Sequence, residues 1–119
     1  MTTDTIVVDS NALIYSVRYK TDIGKQLSSI GFSRIIVPDC VINELHGLST
    51  RINEARAAVA IADRFEKAAV TGACDAAIID LAQSMKCALL TNDREMIVTA
   101  KEKLLKVYSL KRKSIIGAV

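Results

Sequence analysis

Short runs of consecutive apolar residues recur along the chain, and segments with helical periodicity separate them. The runs read "TIVVD" from Thr5, "RIIVP" from Arg34, "CALLT" from Cys87, "KVYSL" from Lys106 and "SIIGAV" from Ser114. Because the apolar residues do not alternate with polar ones, each strand should be buried on both faces. The pattern therefore predicts an α/β fold of three layers, α/β/α, around a central and mostly parallel sheet.

The segments between the strands predict six helices. They span Asn11 to about Arg18, Asp22–Ile30, a segment after Pro38, residues 52–70, residues 74–86 and residues 93–104. Gly31 should stop the second helix, and Asp39 is a plausible N-cap of the third. The fourth segment, "INEARAAVAIADRFEKAAV", is rich in alanine and predicts one long helix that Gly72 breaks.

The length of 119 residues fits one domain over residues 1–119. No apolar run approaches the ~20 residues that a membrane span requires. The beginning, "MTTDTIVVD", has no basic segment before an apolar one, so we expect no signal peptide and a cytoplasmic location.

The three cysteines are Cys40, Cys74 and Cys87, and no two of them have C-x-x-C spacing. An odd number without paired spacing argues against a structural zinc site and against a disulfide framework. We expect all three to be small buried apolar residues.

Charge is distributed unevenly. Residues 101–119 contain six basic residues and one acidic residue, whereas residues 1–100 contain ten basic and twelve acidic residues. A basic C-terminal end on an acidic body indicates an anionic partner. Lys111, Arg112 and Lys113 are the residues that we expect to contact the anionic groups of that partner.

Four acids stand where strands end or helices begin. Asp9 ends the first strand, Glu44 lies within the third helix, Asp75 opens the fifth and Asp93 follows the strand "CALLT". A cap at the strand end would explain Asp9, a place at the N-cap or in the first turn of a helix would explain Asp75 and Asp93, and solvent exposure would explain Glu44. If the four acids converge at one edge of the sheet, their repulsion calls for a hard divalent cation such as Mg²⁺ or Mn²⁺.

Four motifs in order carry a family resemblance: "VVDSNALI", "VPDCVINELHGL", "ACDAAIIDLA" and "LLTNDREM". Together they resemble a PIN domain, a compact metal-dependent ribonuclease fold, over roughly residues 5–110. Within that family, the chain looks most similar to archaeal stand-alone proteins related to the nucleases that process small-subunit ribosomal RNA. The second motif, the alanine-rich segment after it and the late "VYSLKRKSI" indicate this branch.

The resemblance makes Asp9, Glu44, Asp75 and Asp93 the catalytic acids. It implies that Asp9, Asp75 and Asp93 hold one or two Mg²⁺ or Mn²⁺ ions, and that Glu44 ligates a metal or orients the attacking water. The residues expected to support the acids are Asn11, Thr91 and Asn92. Ala76 departs from the family, because close relatives often carry a second aspartate there, and this departure predicts weaker metal binding.

The expected activity is hydrolysis of RNA phosphodiester bonds in ribosomal RNA processing, leaving a 5′-phosphate and a 3′-hydroxyl. One alternative is a toxin-type PIN ribonuclease held by an antitoxin. Another is a PIN domain that binds RNA or a ribosomal particle with little catalysis. A homodimer formed through the alanine-rich helix is a further expectation.

Overall fold

A computed structural model describes residues 4–111 and 115–119 of the chain. The strands are β1 (Thr5–Val8), β2 (Arg34–Pro38), β3 (Glu66–Ala68), β4 (Ala88–Leu90), β5 (Val107–Lys111) and β6 (Ile115–Ala118). The helices are α1 (Ser10–Arg18), α2 (Ile23–Ile30), α3 (Asp39–Leu48), α4 (Asn53–Ala62), α5 (Cys74–Met85) and α6 (Arg94–Glu102). Among these residues, no helix is long and apolar enough to cross a membrane.

The six strands form one sheet in the order β3-β2-β1-β4-β5-β6. All pairs are parallel except β5 and β6, which pair in an antiparallel manner. The predicted α/β architecture with a mostly parallel sheet is therefore confirmed. Every residue of β1 and β4 is buried, as expected for central strands covered on both faces.

Helix ends follow local sequence in three places. The side chain of Asp22 accepts a hydrogen bond from the Lys25 amide at the start of α2, and Gly31 ends that helix in a left-handed conformation. The side chain of Asp93 caps α6. Asp39, in contrast, does not cap α3; its carboxylate accepts from the Val70 amide at 3.2 Å.

The prediction of one long helix over residues 52–70 is wrong. Helix α4 ends at Ala62, and residues Glu66–Ala68 form the edge strand β3 beside β2. Arg34 of β2 forms an exposed ion pair with Glu66 at 2.7 Å. The helical propensity of alanine is worth only a fraction of a kcal/mol per residue, so the backbone pairing along β2 overrides it here.

Candidate active site

The carboxyl ends of β1 and β4 lie side by side, because Val8 of β1 pairs with Leu90 of β4. The chain leaves β1 at Asp9 and leaves β4 through Thr91 to Asp93. In parallel sheets, residues that follow adjacent strands collect at one edge, which is where open α/β folds bind ligands. The candidate active site lies at this edge.

Asp9 is a buried acid with both carboxylate oxygens engaged. Its side chain is 3% exposed. Oδ1 accepts from the Ser10 amide at 2.7 Å, which caps α1, and Oδ2 accepts from the Thr91 hydroxyl at 2.8 Å. The capping interpretation of Asp9 is therefore confirmed, but capping occupies only one of its oxygens. The other oxygen is fixed by a residue 82 positions away in sequence.

The pKa of Asp9 is raised above its ordinary value. Burial is the largest cause, the hydrogen bonds from Thr91 and Ser10 oppose it, and the charges of Asp75 and Asp93 raise the pKa further. The negative charges of these two acids thus act on the buried Asp9 carboxylate.

Glu44 of α3 joins the same group of acids through Ser10. The Ser10 hydroxyl donates to Glu44 Oε1 at 3.2 Å and lies 3.4 Å from Asp9 Oδ1. Desolvation and the charge of Asp9 raise the pKa of Glu44, the Ser10 hydrogen bond lowers it, and the charge of Asp75 raises it. Ser10 is a contact that the sequence analysis missed; its place directly after Asp9 was the available signal.

Thr91 and Asn11 connect the loop after β4 to the start of α1. The buried Thr91 hydroxyl donates to Asp9 and accepts from the Asp93 amide at 3.1 Å. Asn11 Oδ1 accepts from the Asn92 amide at 2.9 Å. The structure therefore places Asn11 and Thr91 beside the first acid.

The side chain of Asn92 forms two hydrogen bonds with the backbone of Leu110 in β5. Its side-chain amide donates to the Leu110 carbonyl at 2.9 Å, and its Oδ1 accepts from the Leu110 amide at 3.1 Å. This two-bond pairing ties the loop after β4 to β5 in the manner of a sheet ladder. Because both polar atoms of its side chain bond to Leu110, Asn92 holds the loop after β4 in place against β5.

Asp75 occupies the first turn of α5 and is exposed, without a capping hydrogen bond from its side chain. Asp93 accepts from the amides of Glu95 and Met96 at 2.9 and 3.2 Å through Oδ1. The prediction of an N-cap or a first-turn acid is thus confirmed for both residues. Asp93 is the N-cap of α6, and Asp75 lies in the first turn of α5, where Ala73 occupies the cap position.

A disulfide joins the helices that carry Glu44 and Asp75. Cys40 in the first turn of α3 is bonded to Cys74 at the start of α5, with their Cα atoms 5.6 Å apart. The expectation of three unpaired cysteines is therefore wrong for this pair and confirmed for the buried Cys87. Sequence spacing gave no sign of the bond, because only the fold brings the starts of α3 and α5 together.

The donor atoms of the four acids suit a divalent cation, although few of these side chains can reach the same ion. All four acids offer carboxylate oxygens, the ligands that Mg²⁺ and Mn²⁺ prefer. Within residues 4–111 and 115–119, however, no three His, Cys, Asp or Glu side chains are close enough to enclose one ion. Magnesium commonly binds through one or two carboxylates and keeps several waters, and this arrangement suits such binding.

With RNA as the anionic partner, Lys111, Arg112 and Lys113 stay the predicted phosphate contacts. The Lys111 ammonium donates to the Ala118 carbonyl of the same hairpin at 2.6 Å. Arg112 and Lys113 lie outside the described residues.

Known proteins resemble this chain in sequence and in fold. A family model described as a PIN like domain matches residues 6–113. Ribonuclease VapC9 of Archaeoglobus fulgidus is 34% identical over 110 residues, which cover 88% of this chain and 82% of the relative.

Two solved structures share the fold. The PIN domain endonuclease Utp24 superposes with a TM-score of 0.81 at 23% identity, covering 96% of this chain and 90% of that one. A domain of a functionally unknown protein from Methanocaldococcus jannaschii gives a TM-score of 0.60 at 19% identity, covering 92% of each chain. With a family model matched over most of its length, the chain belongs to the PIN-like domain family.

Proposed function

We propose that this protein is a metal-dependent endoribonuclease that hydrolyses RNA phosphodiester bonds. The observation that carries the proposal is the buried Asp9 carboxylate, on which the charges of Asp75 and Asp93 act. Accumulated negative charge without a basic partner is costly unless a cation offsets it. Similarity to a protein named as a ribonuclease, at 34% identity, supports the same activity.

Asp9, Asp75 and Asp93 would hold one or two metal ions, with at most two of these carboxylates bound directly to one ion and the others acting through water. When bound, Mg²⁺ or Mn²⁺ supplies a hydroxide nucleophile at neutral pH and stabilises the charge on the leaving oxygen. The protein's own contribution is to fix Asp9, whose two oxygens are held by Ser10 and Thr91. A carboxylate that is already oriented loses little freedom when it binds a cation or water.

Glu44 would orient and deprotonate the attacking water. Its pKa is raised, so it accepts a proton more readily than an ordinary carboxylate. The Ser10 hydroxyl holds Glu44 Oε1 and leaves Oε2 for water. Exposure of Asp75 and Ala76 at the start of α5 leaves room for a phosphate to approach this edge. Ala76 cannot supply a fifth carboxylate, so metal binding should be weaker than in relatives with a second aspartate.

Cleavage of labelled RNA in Mg²⁺, Mn²⁺ or chelator tests the proposal. The variants are Asp9→Asn, Glu44→Gln, Asp75→Asn and Asp93→Asn, and Asp80→Asn, an exposed acid later in α5, is the matched control. We expect metal-dependent cleavage that each of the four variants lowers by orders of magnitude and that the control retains. Products should end in a 5′-phosphate and a 3′-hydroxyl. Cleavage that persists in chelator, or that survives all four changes, would contradict the proposal.

We propose that the substrate is a ribosomal RNA precursor, following the motif "VPDCVINELHGL", the alanine-rich segment after it and the late "VYSLKRKSI". Cleavage of a structured small-subunit precursor at one position would support this assignment. Degradation of many unstructured RNAs, together with a co-purified protein inhibitor, would favour the toxin-type alternative. Binding without cleavage would favour an RNA-binding or ribosome-binding role.

A further inference from the structure

A cavity of about 360 Å³ opens at the edge of the sheet opposite the acids. It lies where β4 and β5 begin, and its wall includes Cys87, Ala88 and Tyr108. Strand β4 separates it from Thr91, so the two sites stand roughly 10 Å apart along the strand. The volume falls within the range of small-molecule sites.

The mouth of the cavity is strongly basic. Lys86, Lys103 and Lys106 line it together, and no acidic residue does. All three lysines are exposed, and within the described residues none of them belongs to an ion pair. Lys86 and Lys103 also sit at the C-terminal ends of α5 and α6, where a cation is stabilising. That role does not account for Lys106, which directly precedes β5 and is not a helix cap.

The floor of the cavity is aromatic and apolar. The half-buried ring of Tyr108 meets the Phe32 ring edge-on, with centroids 5.2 Å apart. At the mouth, Leu104 is 91% exposed on a left-handed backbone with φ of 64°. A flat apolar ligand would cover Leu104 and stack on Tyr108, while Gln83 supplies a hydrogen-bonding group.

We propose that this cavity binds one nucleotide of a single-stranded RNA, with its phosphate among Lys86, Lys103 and Lys106 and its base against Tyr108. Cationic side chains beside an aromatic face are the combination that binds single strands without strict sequence preference. The inference rests on the proposed ribonuclease function, and it gives that enzyme a substrate contact away from the cleaved bond. Two of the lysines belong to the basic end of the sequence.

Binding of a fluorescently labelled oligo(A) of about ten nucleotides, measured in chelator over a salt series, tests the inference. The test variant is Lys86→Gln/Lys103→Gln/Lys106→Gln, which removes three charges and keeps side chains of similar length. We expect about tenfold weaker binding or more. The slope of log affinity against log salt should fall by roughly 0.7, the value for one lost phosphate contact on a single strand.

The matched control is Lys25→Gln/Arg51→Gln/Arg56→Gln, which removes three exposed cations elsewhere. It should keep most of the salt slope if the three cavity lysines contact phosphates. Tyr108→Leu should weaken binding about tenfold, and Tyr108→Phe should retain it, because stacking needs the ring and not the hydroxyl. Equal losses in the cavity variant and its control would overturn the inference, as would full binding by Tyr108→Leu.

Chelator separates this inference from the nuclease proposal. Binding that depends on the cavity lysines, in a protein that never cleaves RNA, would uphold the site and contradict the enzyme. Metal-dependent cleavage, together with RNA binding that does not change when these lysines are replaced, would uphold the enzyme and contradict the site.

Discussion

The Thr91 hydroxyl donates a 2.8 Å hydrogen bond to Asp9 Oδ2 and accepts one from the Asp93 amide, so one buried side chain links two of the acids. Thr91→Val keeps the shape and removes both bonds. Because buried polar groups then lack partners, the free energy of unfolding in chelator should fall by about 1–3 kcal/mol. Urea denaturation measures this, and Thr91→Ser, which retains the hydroxyl, should lose less. An unchanged stability in Thr91→Val would show that this bond contributes nothing.

The substitution Asp9→Asn should show whether Asp9 is a metal ligand or only a helix cap. Asparagine caps as well as aspartate, so a cap alone predicts little change in stability and no effect of magnesium. A metal ligand predicts that the variant is as stable as the parent in chelator, or about 1 kcal/mol more stable, since like-charge repulsion is relieved. With magnesium at a hundredfold excess over Kd, the parent should gain ~2.7 kcal/mol and the variant less. Thermal melts in chelator and in magnesium give both numbers.

The raised pKa of Asp9 predicts a pH dependence with a definite sign. The folded protein holds this proton to higher pH than the unfolded chain, whose aspartates titrate at about 4. The resulting stabilisation is present below about pH 4 and is lost as pH rises through the higher folded-state pKa. In chelator, the parent should therefore lose stability relative to Asp9→Asn across that window. Urea denaturation from pH 3.5 to 7 tests this, and a constant difference would contradict it.

The Cys40–Cys74 bond closes a sequence separation of 34 residues. Loop-closure entropy for that length corresponds to about 4 kcal/mol of stabilisation against the reduced chain. Dithiothreitol should lower the denaturation midpoint of the parent and leave Cys40→Ser unaffected. Cys87→Ser changes a cysteine outside the bond, so it should keep the response to reductant. If dithiothreitol leaves the denaturation midpoint of the parent unchanged, the bond does not contribute to stability.

Asn92→Ala should destabilise the loop after β4. Both side-chain bonds to Leu110 disappear, which predicts a loss of about 1–3 kcal/mol. Hydrogen exchange at the Leu110 amide should also become faster, because its acceptor is gone. Asn43→Ala, an exposed asparagine on α3, serves as the control and should leave both readings unchanged. Protection at Leu110 that survives in Asn92→Ala would contradict this role.

The sequence by itself determined five of the six described strands and most helices, because burial on both faces leaves unbroken apolar runs such as "TIVV" and "RIIV". Local signals also set the end of α2 at Gly31 and the start of α6 at Asp93. The motifs around Asp9, Glu44, Asp75 and Asp93 indicated the family, which the match over residues 6–113 confirms.

Only the tertiary structure decided what depends on distant contacts. Pairing with β2 turned residues Glu66–Ala68 into a strand against their helical propensity, and the fold brought the starts of α3 and α5 together, so that Cys40 is bonded to Cys74. The same holds for the Thr91 hydroxyl on Asp9 and for the lysines around Tyr108. Propensity and periodicity act over a few neighbouring residues, whereas these contacts join positions that only the fold brings together.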